Sequence, residues 1–145
     1  MDAAPPDAAE AESGYFEHGA DIGVIGRGAT VEQAFENAAR AVFAIMTRLD
    51  AVRLRETVEI DFEETDPELA LVTWLNLLLA RAFEGGAVFS RFALMRAGSS
   101  WHGRATGERW NAGLERGTGV KGATLTMLSV AERDGRWEAR CVVDV

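Results

Sequence analysis

Apolar residues recur at helical spacing in the stretch that begins at Val31. Thr30, just before it, and Gln33 form a capping-box start, in which two side chains bond to free backbone groups at the start of the helix. Apolar side chains then follow every three or four residues as far as Met46, so they line one face. The pattern predicts an amphipathic helix over residues 31–47.

A second helix is predicted between the segment Thr65-Asp66-Pro67-Glu68 and the pair Gly85-Gly86. The first segment supplies a cap, a proline at the first helical position and an early acid, and the glycines supply a stop. The residues between them are apolar almost all round, which is typical of a helix buried on most of its surface. A membrane span needs about 20 predominantly apolar residues, so we interpret this segment as a core helix.

Strands account for the rest of the apolar pattern. Residues 57–62 alternate between apolar and polar positions, which predicts a half-buried strand. Further extended segments are predicted over residues 14–28, with a loop at residues 19–21, and over residues 88–97 and 101–106, followed by a glycine-rich loop over residues 107–119.

The clearest strands close the sequence. Residues 120–132 and 136–145 flank Asp134-Gly135, the two-residue signal for a hairpin with a type I′ turn. Together the elements predict an α+β fold, with two helices packed on a mostly antiparallel sheet. We expect a single-domain sandwich that ends in a C-terminal hairpin.

A chain of 145 residues fits one domain with one core, which we assign to residues 14–145. Residues 1–13 are acidic and rich in Ala and Pro, with neither the basic start nor the apolar stretch of a signal peptide. They are expected to form a disordered tail on a cytoplasmic protein.

The formal net charge of −8, with no run of Lys or Arg, bears on the class of partner. Proteins that bind nucleic acid gain most of their affinity from basic patches that neutralise phosphates. Direct, tight RNA binding is therefore disfavoured, and an acidic surface suits cations or a basic protein partner better.

The common catalytic and structural-metal motifs are absent from the sequence. Cys141 is the only cysteine, which excludes an intramolecular disulfide, and with only His18 and His102 a zinc site of the Cys/His type lacks ligands. The sequence also has no phosphate-binding loop, no H-E-x-x-H and no G-x-S-x-G. No catalytic residue is assigned.

The end of the sequence carries the strongest remaining signal. The predicted strand runs to Val145, which places the terminal carboxylate at a fixed point beside Asp144. Hard divalent cations such as calcium or magnesium favour clustered oxygens of this kind. A solvated aspartate at the end of an edge strand is the plainer alternative.

The register of the hairpin bears on which residues can join Asp144. With Asp134-Gly135 as the turn, Asp144 falls opposite Leu125. Lys121 lies four residues further along the strand, about 13 Å at the usual rise per residue, and is out of reach unless the chain bends. Gly122 is suited to supply that bend.

Several motifs, in order, resemble those of the archease family. They are similar to the family's H-T-A-D opening (Tyr15-Phe16-Glu17-His18-Gly19-Ala20-Asp21-Ile22-Gly23), its first helix (residues 30–46), its W-L-N-x-L-L helix (residues 71–78), its G-E pair (Gly107-Glu108), its V-K-A-x-T strand (Val120-Lys121-Gly122-Ala123-Thr124) and its closing D-V (Asp144-Val145). The resemblance spans residue 14 to the end, and ordered motifs are more specific than any one of them.

The resemblance implies that Asp21, Asp144 and the carboxylate of Val145 hold a divalent cation, with calcium favoured over magnesium or manganese. It also implies that Lys121 matters for activating a partner, the GTP-dependent RNA ligase of the RtcB family. Archeases promote guanylylation and multiple turnover of this ligase, which joins 3′-phosphate or 2′,3′-cyclic-phosphate ends in tRNA splicing or RNA repair. His18 is either a group that supports the metal ligands or a half-buried strand residue.

The sequence departs from the family pattern at a few positions. Gly19 replaces a threonine, Gly122 loosens the lysine strand, and Leu125-Thr126-Met127 stands where Tyr-His is usual. The lost hydroxyl and imidazole affect the tuning of the site, whereas its two aspartates and its lysine are retained.

Two other functions fit the same residues. One is a metal-dependent phosphoester hydrolase, in which a cation on Asp21 and Asp144 activates water and His18 acts as base. The other is a structural oligomer whose sheet edge pairs with a second copy. Ligase-dependent activity, turnover by the purified chain and a metal-indifferent oligomer distinguish the three.

Overall fold

Residues 12–145, the part of the chain that the computed structural model describes, contain two α-helices, one 3-10 helix (Leu49–Ala51) and eight strands. The helices are α1 (Val31–Met46) and α2 (Pro67–Gly85); the strands are β1 (Ser13–His18), β2 (Asp21–Gly28), β3 (Glu56–Glu63), β4 (Ala87–Ala97), β5 (Ser100–Arg109), β6 (Gly122–Ala123), β7 (Ser129–Arg133) and β8 (Arg136–Asp144). Of the predicted tail, residues 1–11 lie outside the described residues, and Ser13 is the first residue of β1.

The strands form two antiparallel sheets. In the five-stranded sheet the order is β1-β2-β8-β6, with β7 also paired to β8, and in the three-stranded sheet it is β3-β5-β4. The predicted α+β class, with two helices, antiparallel strands and a C-terminal hairpin, is confirmed, and the strands form two sheets rather than one. β8 has partners on both sides, so the end of the chain lies inside a sheet.

Helix α1 sits directly on the five-stranded sheet. Thr30 caps it as the sequence predicts: the Thr30 hydroxyl accepts the Gln33 N–H at 3.1 Å, and the Gln33 side chain reaches back to accept the N–H of Ala29, one residue before the cap, at 2.9 Å. A Cβ at Gly26 of β2 would come within 2.2 Å of the Ala38 nitrogen. Only glycine therefore permits this close approach of helix to strand.

Helix α2 begins and ends where the sequence predicts but is less buried than its composition suggests. The Asp66 side chain accepts the Glu68 N–H, and Gly86, with a φ of +60°, closes the helix. Leu69 in the first turn is 42% exposed and Phe83 in the last turn is 89% exposed. The prediction that this helix is buried on most of its surface fails at these ends, because apolar composition does not reveal where the covering sheets stop. No helix in residues 12–145 is long and apolar enough to cross a membrane.

Side chains from the helices form hydrogen bonds with backbone groups of the edge strands. Arg40 of α1 donates to the Ser90 carbonyl at 2.8 Å, and Glu36 accepts the Leu94 N–H at 2.8 Å, both on β4. Arg81 of α2 donates to a β3 carbonyl at 2.8 Å. Edge groups that are already bonded are poor templates for pairing with another chain.

Candidate functional site

Asp21 and Asp144 lie on neighbouring strands at the same end of the five-stranded sheet. The pairing of β2 with β8 ends at Ile22 and Val143, and the two aspartates occupy the next facing position. Facing residues of an antiparallel pair have Cβ atoms about 4.5 to 5.5 Å apart and point to the same side of the sheet. Val143 belongs to the core, whereas Asp144 is exposed and Asp21 half-buried. The two carboxylates therefore project from the same side of the sheet, away from the helices.

Lys121 and Val145 lie next to Asp144. Lys121 comes just before β6, which pairs with β8 on the edge opposite β2, and Val145 follows Asp144 in the chain. The Lys121 N–H donates to the Asp144 carbonyl at 2.8 Å, and Gly122 faces Asp144. The side chain of Val145 is partly buried and packs against the core, while that of Lys121 is exposed. The structure thus brings together the ends of three strands that carry Asp21, Lys121 and the Asp144-Val145 pair.

The register predicted for the C-terminal hairpin holds only near its turn. Asp134 and Gly135 adopt left-handed backbone angles, as a type I′ turn requires, and Ser129 faces Arg140 in the predicted register. Further along, Gly122 rather than Leu125 faces Asp144, so three residues have left the ladder. The predicted continuous strand over residues 120–132 is therefore wrong, as is the bend at Gly122. The break lies in residues 124–128, and Lys121 is not out of reach.

His18 faces Asp21 across the turn between β1 and β2 and is exposed. The interpretation of His18 as a half-buried strand residue is therefore wrong, and its position allows it to support Asp21. Gly19 in the turn has a φ of +62°, a left-handed conformation that a threonine rarely adopts. The glycine that departs from the family pattern thus matches the backbone of this turn.

The donor groups at this position fit a hard cation. Within residues 12–145 no three His, Cys, Asp or Glu side chains gather closely enough to hold a metal ion, so a cation here would need oxygens beyond the side chains of Asp21 and Asp144. No ion pair in that range involves Asp21, Asp144 or Lys121. Like charges that face each other destabilise a sheet, and a cation bound between them removes this repulsion.

Asn76 of α2 is a site residue that sequence reasoning missed. Its Oδ1 accepts the Ala123 N–H at 2.8 Å, and its Nδ2 donates to the Ala123 carbonyl at 3.3 Å. One side-chain amide thus replaces a neighbouring strand on the free edge of β6, the strand next to Lys121. A lone asparagine in an apolar helix was the available signal, since a buried polar group needs partners.

Replacing Asn76 with alanine is expected to loosen β6, because both backbone groups of Ala123 lose their partner. An unsatisfied, partly buried group costs about 1 to 3 kcal/mol. Amide hydrogen exchange at Ala123 should accelerate, whereas Thr73→Ala, at a half-buried polar position on the same helix, should leave it unchanged. Equal exchange rates in wild type and Asn76→Ala would show that β6 holds its place without this amide.

Glu108, from the G-E pair, has a structural role. Its side chain is buried, at 6% exposure, and its two oxygens accept the Arg53 N–H at 2.8 Å and the Asn111 amide at 3.0 Å. These bonds tie the segment before β3 and the loop after β5 to one point. The fold therefore accounts for Glu108, which plays no part in the site formed by Asp21 and Asp144.

The chain is similar over most of its length to known proteins. A sequence profile of the Archease protein family matches residues 14–145. The chain is 35% identical over 134 residues to the protein archease of Sulfolobus acidocaldarius, covering 90% of this chain and 96% of the relative. Against the protein archease of Aeropyrum pernix the identity is 34% over 137 residues, covering 90% and 95%.

Two solved structures have similar folds. The solution structure of Methanobacterium thermoautotrophicum protein 1598 aligns with a TM-score of 0.78 at 29% identity, covering 92% of this chain and 99% of that one. The crystal structure of an archease from Thermotoga maritima aligns with a TM-score of 0.65, covering 90% and 94%. At 20% identity the second shares the fold alone.

Proposed function

Because this chain belongs to the archease family, we propose that it is a metal-binding accessory protein that activates a GTP-dependent RNA ligase of the RtcB family, in tRNA splicing or RNA repair. The observation that supports this best is the facing pair Asp21 and Asp144, with Val145 and Lys121 beside it. The protein is not itself the ligase; it promotes guanylylation of the partner and its multiple turnover.

The cation is held by Asp21, Asp144 and the terminal carboxylate of Val145. Calcium suits this arrangement best, because it accepts six to eight oxygens in irregular geometry, whereas magnesium demands a near-ideal octahedron. The cation supplies positive charge that neutralises the facing carboxylates. His18, across the turn from Asp21, supports that carboxylate.

Lys121 acts on the partner rather than on the cation. An ammonium cannot ligate a metal ion, but it carries three donors that suit phosphate oxygens. Its backbone N–H is fixed to Asp144, while its side chain is exposed and makes no ion pair among residues 12–145. The ammonium is therefore available to the ligase or to its nucleotide phosphates.

The charge of the chain favours a protein partner over RNA. At a net charge of −8, the protein repels a polyanion but attracts the basic surface that an RNA-handling enzyme needs. This supports an accessory role in which the ligase, not this chain, holds the RNA.

Reconstitution with the RNA ligase of the same organism tests the proposal, with ligated product per ligase as the readout. Wild-type protein should raise product above one turnover. Lys121→Ala should lose most of this activation and keep calcium binding, measured by calorimetry, because the lysine donates no oxygen to the cation. Arg109→Ala, an exposed cation on the three-stranded sheet, should behave as wild type.

Two results would contradict the proposal. Full activation of the ligase by Lys121→Ala would show that the ammonium group is not needed for activation. Metal-dependent hydrolysis of phosphoesters by the purified chain, without ligase, would favour the hydrolase in which Asp21 and Asp144 hold the cation and His18 is the base.

A further inference from the structure

The loop that interrupts the C-terminal hairpin, residues 124–128, presents two large apolar side chains to solvent. Leu125 is 65% exposed and Met127 is 58% exposed, although they stand only two positions apart. Scattered exposed apolar residues are ordinary on a protein surface, but neighbouring ones mark contact sites. This loop is also separated from Lys121 by the two residues of β6 alone.

Hydrogen bonds to β8 and within the loop hold its backbone in place. The Thr124 N–H and hydroxyl both donate to the Val142 carbonyl, at 3.0 and 2.8 Å, and the Val142 N–H donates to the Thr126 carbonyl at 3.1 Å. The Thr126 N–H donates to the Thr124 hydroxyl at 3.1 Å. Met127 then takes a φ of 54°, which a residue with a side chain adopts only where its surroundings enforce it.

The fold itself does not require this loop. β6 and β7 pair with the same strand, β8, and their registers differ by three residues. Without those residues, β6 and β7 would join as one regular strand, and Gly122 would still face Asp144. The loop over residues 124–128 is therefore a strained segment that is not required to place Lys121 beside Asp144. Bulges next to functional sites commonly serve to re-aim side chains.

We infer that Leu125 and Met127 are the docking contact for the basic, RNA-handling protein partner, whose apolar depression receives both side chains. The inference rests on the proposed function and names the surface through which it acts. Charge complementarity selects this partner: the chain carries a net charge of −8, and Asp144, which faces Gly122 beside the loop, is an exposed carboxylate. Docking through the loop brings the adjacent Lys121 to the partner in a fixed orientation.

Two variants of the full chain test the inference against the ligase. The double variant Leu125→Ser with Met127→Ser removes the apolar contacts, and deletion of residues 125–127 removes the loop but keeps the pairing of β6 with β8. Each should weaken ligase binding, measured by calorimetry, by at least about tenfold, as loss of a central apolar contact does. The double variant should recover activation at saturating concentration and retain calcium binding, because Lys121 and the carboxylates are untouched.

Matched controls replace exposed apolar residues elsewhere. Phe83→Ser and Met95→Ser alter side chains that are 89% and 70% exposed, far along the chain from this loop, and should bind the ligase as wild type does. Unchanged binding by the double variant, beside an active wild type, overturns the docking inference alone. A wild-type chain that neither binds nor activates the ligase overturns the proposed function and this partner with it. If sedimentation shows that the wild-type protein is a dimer and the double variant a monomer, the loop contacts a second copy of the chain, and the inference is also overturned.

Discussion

Asp21→Ala and Asp144→Ala are each expected to abolish activation of the ligase and to weaken calcium binding, with the fold retained. Asp21 and Asp144 occupy facing positions on β2 and β8, so in the proposed site each would supply oxygens that the other cannot replace. Loss of a residue that merely supports a metal ligand costs about 10- to 100-fold in affinity, and loss of a ligand itself costs at least as much. Calorimetry with calcium and magnesium, beside a ligation assay on the same proteins, measures both effects.

Two further changes probe the same site through its third carboxylate. Removing Val145, or adding a C-terminal tail, displaces the terminal carboxylate while both aspartates remain. Each change should therefore also weaken calcium binding. Asp50→Ala is the matched control, because Asp50 is an exposed aspartate that pairs with Arg48, at 3.3 Å. Alanine variants at 21 and 144 that bind calcium as wild type and still activate the ligase would remove this site from the mechanism.

Leu75→Ala and Leu78→Ala are each expected to lower the free energy of unfolding by about 2 to 5 kcal/mol, through lost burial and the cavity left behind. Both leucines are fully buried. Leu69→Ala changes the same helix at a position that is 42% exposed, so its effect should be much smaller. Denaturant unfolding of the three variants decides the point. Similar losses in all three would mean that burial does not govern these effects.

The features that local sequence determines were predictable. The helix cap at Thr30 and the type I′ turn at Asp134-Gly135 form as expected, because each depends on a few adjacent residues. The break in the hairpin was not predictable, since it depends on bonds from Thr124 and Thr126 to Val142, a distant residue. The turn signal at Asp134-Gly135 alone predicted a continuous strand on each side of it.

The candidate site shows the same division. The sequence places Asp144 beside the terminal carboxylate, but nothing local brings Asp21 to them, because the pairing of β2 with β8 joins opposite ends of the described chain. Only the resemblance to the archease family linked the two aspartates. Asn76 was missed because its partner, Ala123, lies on a strand too short to be recognised by its pattern.

The central position of β8 also has a consequence for folding kinetics. β8 lies between β2 and β6, so the five-stranded sheet closes only when distant segments of the chain meet. Contacts of high sequence separation have to overcome the entropy of closing a long loop and form slowly. The facing carboxylates come together only when the pairing of β2 with β8 forms, so a cation that binds only to the assembled pair would stabilise the folded protein over the unfolded chain.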